Sequence, residues 1–211
     1  MSTEPVTDVE PKERIIDMAR DRFFAHGFNK VTLDELSGEL GISKKTMYKF
    51  FPSKDELVKT VVWLTLRMVE RKIDAITASD RPLVQRLAEL MLFMSRTVGR
   101  FSRSFVSDMQ RFTPVLWKEI DRFRREQIVA KVVRLIRQAK EEGVLRPDIE
   151  EEIVVLMFVT CVQNIATPEV LANHTFSVRE AMHTIFHIIF EGSLTDQARE
   201  EFRRYELTIN E

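Results

Sequence analysis

Residues 32–57 read TLDELSGELGISKKTMYKFFPSKDEL, and this stretch decides the fold. Thr32 stands three residues before Glu35, the spacing of a capping box in which each side chain satisfies the other's backbone. Leu33, Leu36 and Leu40 supply the apolar face of the short helix that follows. Gly41 offers a turn residue without a Cβ, Ile42 is set to pack inward, and Ser43 is placed to cap a further helix from Lys44. Pro52 ends that helix, because the residue before a proline is pushed out of the helical region. Ser53 with Glu56 repeats the capping box and opens a long helix carrying Leu57, Val61, Leu64 and Met68. Two short helices joined by a glycine turn, each with its own start signal, make a helix-turn-helix.

At about 100° per residue, Lys44, Lys45, Tyr48 and Lys49 share one face of the helix from Lys44, while Met47, Phe50 and Phe51 share the other. One face packs and the other is offered. From Gly41 to Lys54 the charged residues are Lys44, Lys45, Lys49 and Lys54, all positive, so a polyanion would dock here. A major groove accepts a helix and is rimmed by phosphates, which suits cations and a phenol facing outward. Upstream, Pro11 suits a first helical turn, Ile15, Ala19 and Phe23 form an apolar stripe, and Gly27 is a left-handed stop, giving a first helix over 11–26.

The whole chain sets limits on this reading. Its 211 residues are 44% apolar, enough for a real core, and its net charge of −1 does not advertise a nucleic-acid partner, since a protein held on DNA by bulk charge would be strongly basic. The DNA signal is therefore local. Cys161 is the only cysteine and lies in an apolar run, which fits a reducing compartment. The acidic start MSTEPVTDVEP does not have the form of a signal peptide, and no apolar run reaches the roughly 18 residues of a membrane span. The expectation is a cytoplasmic protein with no membrane partner. The sequence carries no Gly-rich phosphate loop, nucleophile elbow or cysteine cluster, so it is read as no enzyme and as needing no cofactor.

Phe23-Phe24-Ala25-His26-Gly27-Phe28, Val31-Thr32-Leu33-Asp34-Glu35-Leu36, Gly41-Ile42-Ser43 and Thr46 to Leu57 follow one another in an order and spacing that resembles the tetracycline-repressor (TetR) family of bacterial regulators. The resemblance spans about residues 12–60. It implies phosphate contacts from Tyr48, Lys54 and the cap Thr32, and mixed base and backbone contacts from Lys44, Lys45, Thr46 and Lys49, with Ser43 at the same helix start. Lys45 and Phe50 depart from the family's usual residues at their positions, so the half-site is not legible. The resemblance further implies a homodimer on a palindromic double-stranded operator, and repression relieved by a small molecule.

Beyond residue 80 the sequence shows helical patterning at about 83–98, 102–111, 114–141, 149–166, 177–191 and 196–206, broken at Asp80-Arg81-Pro82, Gly143, Pro147, Pro168 and Gly192. Residues 153–162, IVVLMFVTCV, are apolar on every side, and 177–191 adds Met182, Ile185, Phe186, Ile188, Ile189 and Phe190. This exceeds what a small helical domain buries by itself, so Val155, Val159, Met182, Ile185, Phe186 and Ile189 are expected at a four-helix contact between two copies. Met91, Met94, Phe101, Phe105, Met109, Phe112, Trp117 and Phe158 are soft or aromatic residues of the kind that line an apolar ligand site. Core packing is the competing fate of each. Glu180, His183, His187 and Glu191 share a helical face, but a solvated polar face explains them and no metal is assigned.

The expectation is an all-α protein with a tail at 1–10, a three-helix DNA-binding domain at 11–55, a connecting helix at 56–80 and a ligand-binding and dimerisation domain at 81–211. Its function is read as a DNA-binding transcriptional regulator, a repressor released by an apolar or amphiphilic ligand. The alternative is a DNA-binding or architectural protein that senses nothing small.

Overall fold

The computed structural model describes residues 11–165 and 167–210; the tail expected at 1–10 lies outside them. Among the described residues no strand forms, and one isolated antiparallel bridge pairs Leu145 with Leu194. The protein is all-helical, an N-terminal helix-turn-helix unit followed by a helical C-terminal part.

Helix α1 (Pro11–His26) buries Ile15, Ala19, Phe23 and Phe24 on one side and stops at Gly27, whose φ of 79° a residue with a Cβ rarely adopts. Helix α2 (Leu33–Leu40) starts from the Thr32 and Glu35 capping box. It ends at left-handed Gly41, after which the Ile42 amide donates to the Ser37 carbonyl at 3.0 Å. Helix α3 (Lys44–Phe50) starts from the Ser43 cap and closes where the Phe51 amide reaches the Met47 carbonyl at 2.9 Å, one residue before Pro52.

Helix α4 (Lys54–Thr77) has 24 residues, a length of about 36 Å at the α-helical rise. It runs through both hydrophobic cores of the molecule. Its first half packs on α1 and places Leu57, Val58, Val61 and Val62 in the N-terminal core, and its second half places Val69, Ile73 and Ile76 in the C-terminal core. The far end is held firmly. Buried Arg86 donates from Nε to the Ile76 carbonyl at 3.2 Å and from Nη2 to the Thr77 carbonyl at 2.5 Å, which satisfies the helix end with a cation where its dipole is negative. Lys131 adds ion pairs to Asp74 at 2.6 Å and Glu70 at 3.3 Å.

The C-terminal part comprises α5 (Leu83–Val98), α6 (Arg103–Phe112), α7 (Pro114–Phe123), α8 (Ala130–Glu141), α9 (Glu151–Ile165), α10 (Pro168–Asn173), α11 (Val178–Phe186) and α12 (Asp196–Asn210). The helix expected over 114–141 is continuous but contains a π turn at Arg124–Val129, and the one expected over 177–191 finishes in a second π turn at His187–Glu191. Periodicity alone does not reveal a π turn, since one widened turn leaves the surrounding apolar spacing helical. The short α10, capped by Thr167, was absent from the sequence expectation.

The division of the two cores does not follow chain order. Phe105 and Met109 of α6 and Leu116 of α7 pack with Phe23, Phe24, Phe28 and Met47 in the N-terminal core. The C-terminal core is built by α5, α8, α9, α11 and α12 on the second half of α4.

Candidate nucleic-acid interface and effector cavity

The recognition surface follows from how α3 is pinned. Met47 and Phe51 are buried and Phe50 is half-buried, so Lys44, Lys45, Tyr48 and Lys49 on the opposite face are exposed. Lys44 meets Asp34 of α2 at 2.7 Å, and that hydrogen bond holds its ammonium protonated above the usual lysine range. The pair braces α3 against α2 and leaves a cation at the start of α3.

The remaining residues expected to touch DNA organise the backbone. Thr32 accepts from the Glu35 amide at 3.1 Å, and its own amide donates to Glu35 Oε2 at 2.8 Å. The bond from the Thr32 amide, followed by the Thr32 side chain, holds the Glu35 carboxyl below its ordinary range. Ser43 Oγ accepts from the Thr46 amide at 3.0 Å and shares a hydrogen bond with Thr46 Oγ1 at 2.8 Å. Lys54 is half-buried and donates to the carbonyls of Phe28 and Asn29 at 3.1 and 2.9 Å, so its ammonium ties the α1–α2 connection to the start of α4. The structure thus gathers the eight residues at one end of the molecule in two roles. Lys44, Lys45, Tyr48 and Lys49 project from the surface, Lys44 while paired with Asp34, and Thr32, Ser43, Thr46 and Lys54 fix the turns that aim them.

A clamp joins this head to α6, and the sequence reading did not contain it. Asp108 Oδ2 accepts from the Asn29 amide at 2.8 Å, and the Ser102 amide donates to the Phe24 carbonyl, also at 2.8 Å. Phe24 meets Phe101 and Phe105 edge to face at 4.8 and 4.9 Å between centroids. A Cβ on Gly27 would lie 2.5 Å from Asp108 Oδ2, so this glycine provides both the left-handed turn and room for the carboxylate. Gly27 was readable as a helix stop; its partner lies some 80 residues away, beyond any local pattern.

A cavity of about 50 Å³ lies in the C-terminal core, bordered by Met94 and Val98 of α5, Val132 of α8, Val155, Phe158 and Val159 of α9, Met182 and Phe186 of α11, and both π turns. Of the eight residues expected to line a ligand site, Met94 and Phe158 border this cavity. Met91 is buried in the same core, away from the cavity wall. Phe101, Phe105, Met109 and Trp117 belong to the N-terminal core, and Phe112 is exposed with the Arg111 guanidinium 5.5 Å from its ring centroid. A count of soft residues along the sequence does not tell which of two cores each side chain enters.

The residues expected at a subunit contact are divided in a similar way. Val155, Met182, Ile185, Phe186 and Ile189 are buried within the chain itself and Val159 is half-buried. The opposite face of the same helices carries Ile153, Leu156, Met157 and Ile188, which are 56%, 65%, 51% and 69% exposed. A helix that is apolar all round fills its own core with one side and leaves the other uncovered. The polar face named above is also occupied. Glu180 closes a capping box with Ser177, accepting its amide at 2.7 Å, and Glu191 pairs with His187 at 2.9 Å and Arg203 at 2.8 Å. Among the described residues no group of three or more His, Cys, Asp or Glu is placed to hold a metal ion, and no helix is long and apolar enough to cross a membrane.

Residues 15–61 match the model of the bacterial regulatory proteins of the tetR family. Over 169 residues the chain is 23% identical to the uncharacterized HTH-type transcriptional regulator YvaF of Bacillus subtilis, covering 79% of this chain and 87% of that one. It is 27% identical over 191 residues to the HTH-type transcriptional regulator RutR of Escherichia coli O157:H7, covering 86% and 89%. Among solved structures, a TetR-family regulator from Marinobacter aquaeolei superimposes with a TM-score of 0.70 at 16% identity, covering 95% of this chain and 98% of that one. The ketosteroid regulator KstR2 of Mycobacterium tuberculosis gives 0.63 at 18%, covering 91% and 98%. Both likenesses concern the fold.

Proposed function

The chain belongs to the TetR family of bacterial DNA-binding transcription regulators, and on that premise we propose that it is a homodimeric repressor released from a palindromic operator by a small apolar or amphiphilic molecule. The observation that carries the DNA part is the two-faced α3: Met47 and Phe51 lock it to the head while Lys45, Tyr48 and Lys49 stand in solvent beside Lys44. Cations on phosphates position the helix, and contacts to base edges supply the specificity. Residues 11–55 carry the DNA reader, 56–80 connect it and 81–211 serve sensing and pairing.

Support for ligand release comes from the short covalent path between cavity and head. Val98 borders the cavity, and four residues later the Ser102 amide holds the Phe24 carbonyl of α1. Widening the cavity moves the end of α5 and with it the clamp on α1. A ligand favouring that arrangement lowers DNA affinity by its differential affinity for the two states, typically about 1–3 kcal/mol.

The test starts from DNA sites selected with purified protein out of genomic fragments. Lys45→Ala with Lys49→Ala is expected to flatten the slope of log affinity against log salt by about 0.9 for each lost phosphate contact. An unchanged slope would remove α3 from the interface. Ligand release obeys reciprocity, so operator DNA must weaken effector binding by the same factor that effector weakens DNA binding. Trp117, packed against the N-terminal core, reports fluorescence changes at the joint between the two parts. Equal ligand affinity with and without operator would favour a DNA-binding protein that senses nothing small.

A further inference from the structure

Resting on the reading of an effector-released repressor, we propose that the effector is a single-chain amphiphile with an anionic head, its alkyl chain in the C-terminal cavity and its head on Arg124. Three observations lead there. Among the described residues that border the cavity, Arg124 alone is charged, and the rest are aliphatic, aromatic or thioether side chains. The guanidinium of Arg124 sits 3.0 Å from Asp121, and Asp121 also pairs with Arg125. Two guanidinium groups sharing one carboxylate leave one positive charge uncompensated within the trio. A carboxylate head completes it with charge-assisted hydrogen bonds, a neutral head completes it poorly, and a cationic head is repelled.

The shape of the cavity selects the body of the ligand. At about 50 Å³ it is far below the roughly 300 Å³ at which small-molecule sites begin, so any occupant must widen it. A slender chain asks for the least widening and threads between side chains that rotate, such as Met94 and Met182, whereas a fused ring system needs its full width at once. The wall is also built to yield. Both π turns found among the described residues border this cavity, one through Ile128 and Val129 and the other through Phe190, and such turns recur at functional sites where a helix departs from regular packing.

Calorimetric titration of the full-length protein with dodecanoate, dodecanol and dodecyltrimethylammonium, each below its micelle concentration, tests the proposal. Dodecanoate is expected to bind about tenfold more tightly than dodecanol, the scale of a charge-assisted hydrogen bond, with the cation weakest. From octanoate to dodecanoate the affinity is expected to rise by up to about fourfold per methylene. Arg124→Gln should erase the preference for the acid while keeping the chain-length dependence, and Arg124→Lys should retain part of the preference. An unchanged unfolding midpoint in both variants separates these effects from misfolding. Equal affinity for dodecanoate and dodecanol, an acid preference that survives Arg124→Gln, or no binding of any alkyl compound overturns the proposal. DNA affinity measured alongside keeps the two ideas apart. Arg124-dependent binding that leaves operator affinity untouched upholds this site and sinks the release reading, while release by a compound indifferent to Arg124 does the reverse.

Discussion

Around Phe23 the rings of Phe24, Phe28, Phe101 and Phe105 meet edge to face, and the helices that carry the DNA surface begin at side-chain caps from Thr32, Ser43 and Ser53. Around Phe186 two π turns border a cavity, and the outer side of the same helices leaves Leu156 and Ile188 in solvent. Both regions are apolar and helical, yet the first is knit by ring contacts and side-chain caps, while the second has a cavity within and an uncovered face without. A reader of DNA must hold its recognition helix in one orientation, so a rigid core suits it. The sensor proposed for the C-terminal part must admit a ligand and pass on the disturbance, so a core with slack suits it.

The largest expected effect lies on the uncovered face. The proposed homodimer is expected to pair through this face, so Leu156→Asp combined with Ile188→Asp puts unpaired charges there and is expected to give monomers by light scattering, with DNA affinity collapsing along with the dimer. A double variant that stays dimeric would place the contact elsewhere and make the exposed face a property of the monomer. Next comes the difference between the cores. Phe23→Ala is expected to cost about 3–5 kcal/mol in urea unfolding, whereas Phe190→Ala, beside an existing void with side chains free to shift, should cost less than about 3 kcal/mol. Equal costs would mean the second core is as tightly determined as the first.

The smallest effect concerns a cap. Because the Glu35 carboxyl titrates below its ordinary range in the folded chain, its contribution is present above the unfolded value of 4.5 and is lost as pH falls through the lower folded value. Glu35→Gln is therefore expected to lower stability slightly at neutral pH, with the gap to the wild type closing in acid. A gap that is constant from pH 7 to pH 3 would show that the charge of Glu35 contributes nothing to the cap.

How much of this was legible in the sequence depends on the distance between partners. The Thr32 and Ser43 caps, the Gly41 turn and the two faces of α3 each rest on residues within five positions of one another, so the head could be read directly from 32–57. The bounds of α1 and α5 were also readable, from Pro11 and Gly27 and from the break at Asp80. The bonds of Lys54 to Phe28 and Asn29, and of Asp108 to Asn29, join residues 25 to 79 positions apart and leave no local trace. In α9 the pattern announced more apolar surface than one chain covers, but an all-apolar helix has no polar face to say which way it turns. Val155 and Leu156 therefore look alike in sequence, yet the first is buried and the second exposed. The aromatic residues of α6 faced the same ambiguity, and Phe105 and Met109 went to the head.

The place of α6 bears on how such a molecule could be rebuilt or inherited. The N-terminal head and the C-terminal part look separable along the chain, yet Phe105, Met109 and Leu116 wall the core of the first from within the sequence of the second, and Asp108 grips the Asn29 amide where Gly27 leaves room. A head transplanted onto a foreign body would arrive with Phe24 and Phe28 uncovered and its turn unclamped, unless the matching face of α6 travelled with it. The unit that can be exchanged is thus a discontinuous one, residues 11–62 together with the α6 face, and a chimera cut at the obvious seam after α4 would divide it.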